Sequence, residues 1–186
     1  MAIKLYPDSR EVVEIVLTAD EALQAVNSKE ALDAYRKSGD LASLSIPADA
    51  SRVRIRPMTA SADSAAARDA GERPFGVWAL WSMVTQRVKD APEGADPIEV
   101  QAQAMDEVGY TDEHSLALDS YHLRLSLAIC AYGVESISFW PDAKITEVAG
   151  LRRYPRDLLD RLPTPVLHEI AAHIQRISSL SPEGKA

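Results

Sequence analysis

Residues 51–57 read Ser-Arg-Val-Arg-Ile-Arg-Pro, and few arrangements accommodate that order. Strict alternation fits a strand with one buried and one wet face, because successive side chains point to opposite sides. Val53 and Ile55 make the apolar side, Arg52, Arg54 and Arg56 the polar side, and Pro57 ends the run. The stretch 11–18 is the natural partner, rich in β-branched residues. There Val13, Ile15 and Leu17 share one face, with Val12, Glu14 and Val16 on the other. A turn signal at Pro7-Asp-Ser9 makes Ile3–Tyr6 the first arm of a hairpin. Together these predict a small antiparallel sheet in the first 57 residues, with helices packed on one face.

Most of the remaining chain reads as helix. Between the strands, Asp20 to Lys37 predicts one or two short helices, with Ser28 as an N-cap and Gly39 as a stop. Leu41–Ala50 reads as a loop. Thr59–Ala70 is alanine-rich and requires close packing against something larger. Phe75–Val88 carries Phe75, Trp78, Trp81, Val84 and Val88 at three- and four-residue steps. Pro97 opens a helix to about Val108. Asp112 to about Tyr132 is apolar on most sides and is expected to be central. Ser136–Trp140 reads as a short strand, and Pro155–Leu162 as a short helix. Pro163-Thr-Pro165 then starts a helix whose stripe is Val166, Leu167, Ile170, Ala171, Ile174, Ile177 and Leu180. The expected fold is α+β and mainly α. It forms one domain over 1–186: a β-containing part at 1–57, a helical bundle at 58–180 and a frayed tail at 181–186.

Composition removes several function classes. The 20 Lys and Arg against 28 Asp and Glu leave a net charge of −8, which disfavours nucleic-acid binding. No apolar run is long enough to span a membrane, and no secretory signal pattern opens the chain. The single cysteine, Cys130, cannot form an intrachain disulfide and suits a reducing cytoplasm.

Catalytic constellations are weak. His168 and His173 stand five apart, which leaves them roughly 140° apart on a helix, so they cannot chelate one ion and read as exposed helix-face histidines. Asp119 and His122 are three apart and can touch, but no nucleophile motif accompanies them. Cys130, between Ile129 and Ala131, reads as a buried structural thiol. The scattered glycines form no phosphate-cradling loop. No catalytic residue, metal site or cofactor is therefore assigned, and the chain reads as a non-enzyme.

Surfaces are the stronger signal. From Asp90 to His122 there are nine acids and no Lys or Arg. Arg52, Arg54 and Arg56 on one strand, and Arg152, Arg153, Arg156 and Arg161 further on, oppose them. Such asymmetry permits complementary docking, including head-to-tail self-association, or simply keeps the surface solvated. Trp78 and Trp81 are either core residues or a partner-binding stripe. The protein-binding candidates are thus Trp78, Trp81, Arg52, Arg54, Arg56, Arg152 and Arg153.

Three stretches resemble the small tail assembly chaperone-like proteins of tailed bacteriophages and prophages. They are the opening strand Val12–Thr18, the step Val53-Arg-Ile-Arg-Pro-Met-Thr59, and the close Leu162-Pro-Thr-Pro through Leu180-Ser181. The resemblance implies a non-catalytic protein in the cytoplasm of a bacterial host. It implies binding to a helical tape-measure protein during tail assembly and recruitment of tail-tube subunits. A structural head, neck or tail component, held by permanent contacts, is the alternative.

Overall fold

The computed structural model describes residues 12–92 and 94–180, so the hairpin arm at 3–6, its turn and the tail at 181–186 lie outside the described residues. The fold is α+β and mainly helical, with eight α-helices and five strands among the described residues. These gather into two compact units. One combines the described parts of Met1–Ala70 and Leu125–Ala186; the other is Gly71–Arg124.

In the first unit, β1 (Val13–Val16) pairs antiparallel with β2 (Arg52–Ile55), with Ile15 opposite Val53 and Val13 opposite Ile55. The expected alternation is realised: Val53 and Ile55 are fully buried, while Arg54 is exposed. Val16, on the polar face, is also buried. It is covered by Leu23 of α1 (Glu21–Val26) and by Leu32 and Tyr35 of α2 (Lys29–Ser38). Tyr35 locks this contact, its hydroxyl accepting from Val16 N–H at 3.1 Å and donating to Val16 C=O at 3.2 Å. Asp20 and Ser28 cap the two helices, and Gly39 ends α2 with a left-handed φ of 72°.

The third strand, β3 (Val134–Ile137), joins the other side of β2 and begins two residues before the sequence expectation. Its pairing slips between Arg54 and Ile55: Val53 faces Ile137 and Ile55 faces Val134, leaving Glu135 as an extra residue. This bulge lets Val134 and Ile137, three apart, both point into the core, and it turns Glu135 outward. The irregular spacing defeats a period-two reading.

Helices cover the sheet. α3 (Ala60–Ala70) buries Ala62, Ala65, Ala66 and Ala70, the close packing that its alanines require. The C-terminal half of α6 (Asp112–Gly133) buries Leu127 through Tyr132, and α8 (Thr164–Leu180) buries Val166, Leu167, Ile170, Ala171 and Ile174. α6 ends against α8 so closely that a Cβ on Gly133 would lie 2.6 Å from Ile174 Cγ2. Polar ties reinforce the layer: Ser178 Oγ accepts from Met58 N–H at 2.9 Å, and Glu169 accepts from Thr18 N–H at 3.0 Å. The hairpin of β4 (Thr146–Val148) and β5 (Leu151–Arg153) leads into the short α7 (Arg156–Leu159).

The second unit holds α4 (Phe75–Lys89), α5 (Pro97–Val108) and the first turns of α6. Its core is small: Val84, Ala104 and Tyr110, flanked by Val77, Leu80, Trp81, Val88, Met105 and Val108. The expectation that all of α6 is central needs correction. Leu116 is 69% exposed and lies on an open side of the first turns, while Leu118 and Tyr121 beside it are buried.

Candidate protein-interaction surfaces

The aromatic steps of α4 do not share one face. Six residues of helix turn through about 600°, so Phe75 and Trp81 lie ~120° apart. Trp81 packs with its ring 5.3 Å from that of Tyr110, inside the core of its unit. Trp78 points elsewhere and lies on the surface, as do Phe75 and Met83. α4 therefore has two apolar faces. Val77, Leu80, Trp81, Val84 and Val88 are covered; Phe75, Trp78, Ala79 and Met83 are open.

Arg73 organises the start of the open face. Its guanidinium lies 4.1 Å from the centre of the Trp78 ring and 5.7 Å from that of Phe75. Its Nε is buried without a hydrogen-bond partner among the described residues. The His122 ring stands edge-on to that of Trp78, with centroids 6.0 Å apart. The expected Asp119–His122 contact is absent among the described residues: His122 turns to aromatic rings, and Asp119 stays exposed without an ion pair. His114 acts as a cap, its Nδ1 accepting from Thr111 N–H at 3.1 Å.

The arginines separate into distinct roles. Arg52 pairs with Glu14 at 2.6 Å. Arg54 is exposed on the central strand and has no ion partner among the described residues. Arg56 and Arg152, 96 positions apart in the chain, converge on the bulged Glu135, each at 2.9 Å. Burial lowers the Arg56 pKa from its ordinary value, with Glu135 opposing the shift. Arg153 pairs with Asp69 at 2.9 Å and lies over the Tyr132 ring, whose hydroxyl donates to the same carboxylate at 3.1 Å.

Arg56 and Arg152 line a cleft of about 570 Å³ in the first unit, whose other walls include Val12, Met58, Tyr132 and Leu151. Two guanidiniums share one carboxylate there, so the local balance remains positive. Glu135 and Asp69 escape a sequence reading because their partners are remote; a carboxylate beside Val134 in a short strand is the local hint at Glu135.

His173 departs from expectation. It is buried, stacked 5.2 Å from the Tyr35 ring, and its pKa is pushed down to about 4 by burial and by Arg176. Arg176 can only donate, so His173 Nδ1 accepts at 3.2 Å and its proton sits on Nε2. His168 is exposed as expected. Cys130 is fully buried, which raises its pKa and keeps it a thiol. Among the described residues no group of three His, Cys, Asp or Glu comes together to hold a metal, and no helix is long and apolar enough to cross a membrane. No family model, curated protein or solved structure matches this chain.

Proposed function

We propose that this chain is a non-enzymatic assembly protein that holds a helical segment of a client on the open face of α4. The observation that carries this reading is a helix apolar on two faces with only one covered. From Phe75 to Met83 the open face runs eight residues, or about 12 Å, which suits anchors at i, i+3 and i+7 on a docked helix. Among the described residues, five of the eight large exposed hydrophobics (Phe75, Trp78, Met83, Ile98 and Leu116) belong to the 71–124 unit. Tryptophan beside arginine is the composition of an interaction hot spot. The likeness to phage tail assembly chaperones supplies the context: a tape-measure protein as client, in the cytoplasm of a bacterial host.

The test is co-purification from the producing cells, with mass spectrometry of the captured proteins and of finished particles. A long helical tail protein is expected with the wild type and is lost with Trp78→Ala, while circular dichroism shows the fold retained. Capture unchanged by Trp78→Ala would remove α4 as the docking face. A second reading, a permanent particle subunit, is favoured by Arg54, an exposed cation without an ion partner among the described residues. A stoichiometric signal in finished particles, abolished by Arg54→Glu, would select it.

A further inference from the structure

The acid-rich stretch of the sequence and a basic cleft in the first unit carry opposite patterns. Asp112, Leu116 and Asp119 occupy one face of the first turns of α6, at i, i+4 and i+7, and span about 10 Å. Leu116 is 69% exposed, and both aspartates are exposed without ion pairs among the described residues. The face is thus an apolar knob between two carboxylates. The cleft in the first unit has the opposite pattern. Met58, Val12 and Leu151 give it apolar lining, and Arg56 and Arg152 stand on it with, among the described residues, Glu135 as their shared ion partner. Its volume of about 570 Å³ readily admits a leucine side chain and the flanking carboxylates.

We propose that copies of this chain associate head to tail, the Asp112–Leu116–Asp119 face of one copy seating in the Arg56–Arg152 cleft of the next. Leu116 meets the apolar lining, and the aspartates take guanidinium donors that Glu135 leaves over. Because knob and socket are different surfaces, the contact is heterologous and propagates into a ring or an open chain of copies. It uses neither Trp78 nor the open face of α4, so it stands apart from the client-binding reading.

Sedimentation velocity of the full chain, from micromolar to millimolar concentration, tests this. Growing species are expected in about 0.1 M salt. Association is expected to weaken about tenfold or more in about 1 M salt, as the Debye length falls from about 10 Å to about 3 Å. Leu116→Glu destroys the knob and Arg152→Glu the socket, so each variant alone is expected to remain a monomer. Mixed, they keep one good knob and one good socket between them, and a dimer that grows no further is expected. A wild type monomeric throughout, or Leu116→Glu associating like the wild type, overturns the proposal. If Arg152→Glu fails to fold by circular dichroism, a Leu116→Cys copy mixed with a Leu151→Cys copy gives the same reading. A disulfide between unlike copies is expected, and its absence overturns the proposal.

Discussion

Replacing Gly133 by alanine should destabilise the first unit, although the same change in an open helix would stabilise it. The added Cβ would lie 2.6 Å from Ile174 Cγ2, 2.7 Å from Cδ1 and 3.0 Å from Cγ1. Carbon atoms prefer about 3.5–4.0 Å, so three contacts are too short at once. Ile174 cannot swing aside easily: it is fully buried and β-branched within a helix, where one rotamer dominates. The backbone of Gly133 is itself held, its carbonyl accepting from Arg56 N–H at 2.9 Å. Overpacking of this kind costs about 1–3 kcal/mol, and leaving glycine in a helix returns up to about 1 kcal/mol. The net expectation is a loss of about 1 kcal/mol. In an Ile174→Ala background all three opposing atoms are gone, so Gly133→Ala should there gain about 0.5–1 kcal/mol. Urea unfolding followed by far-ultraviolet circular dichroism on the four variants gives the coupling, expected near ~2 kcal/mol. Equal effects of Gly133→Ala in both backgrounds would refute the close approach of α6 and α8.

The packing and polar contacts of the two units give three further outcomes. Tyr35→Phe removes the hydroxyl that accepts from the buried Val16 N–H and is expected to cost about 2 kcal/mol in urea unfolding. His173 titrates at about 4 in the fold against 6.5 outside it, so the unfolded chain binds the extra proton. Stability should therefore decline as pH falls from 6.5 towards 4, by about 3 kcal/mol over that interval, and His173→Gln should abolish this part of the slope. Glu169, whose pKa burial raises, acts in the opposite sense, losing stability as pH rises through its folded value, and its contribution remains in that variant. Trp81→Ala should destabilise the 71–124 unit by about 3 kcal/mol, whereas Trp78→Ala, at a residue 37% exposed, should cost less, about 1–2 kcal/mol, as melts of the two variants will show.

Regular periods are readable in the chain, and irregular ones are not. The Arg-Val-Arg-Ile-Arg strand, the Pro97 and Gly39 boundaries and the stripe of α8 each follow from a local rule that packing then obeys. β3 starts earlier than its pattern suggests because Glu135 interrupts its alternation, and that bulge exists only in the presence of β2. Trp78 and Trp81 are only ~60° apart around the helix, so their separation is not set by helical angle, and which of the two is covered depends on α5 and Tyr110. His173 is buried because Tyr35 stacks on it and Arg176 donates to it, partners far off in the sequence or unremarkable beside it. The Arg56–Glu135–Arg152 set joins three segments through tertiary structure, so no spacing rule announces it.

The division of the first unit into two stretches of chain fixes an order on its synthesis. β1 and β2 leave the ribosome early, but the other neighbour of β2 begins only at Val134, and Ile170 and Ile174 follow later still. The 71–124 unit, by contrast, is one uninterrupted stretch and emerges whole in between. During translation the nascent chain thus carries every residue of the 71–124 unit while the sheet still waits for its last strand and its covering helix. Under the proposed client-binding role, a client made at the same time would meet the α4 segment before β3 and α8 have been synthesised.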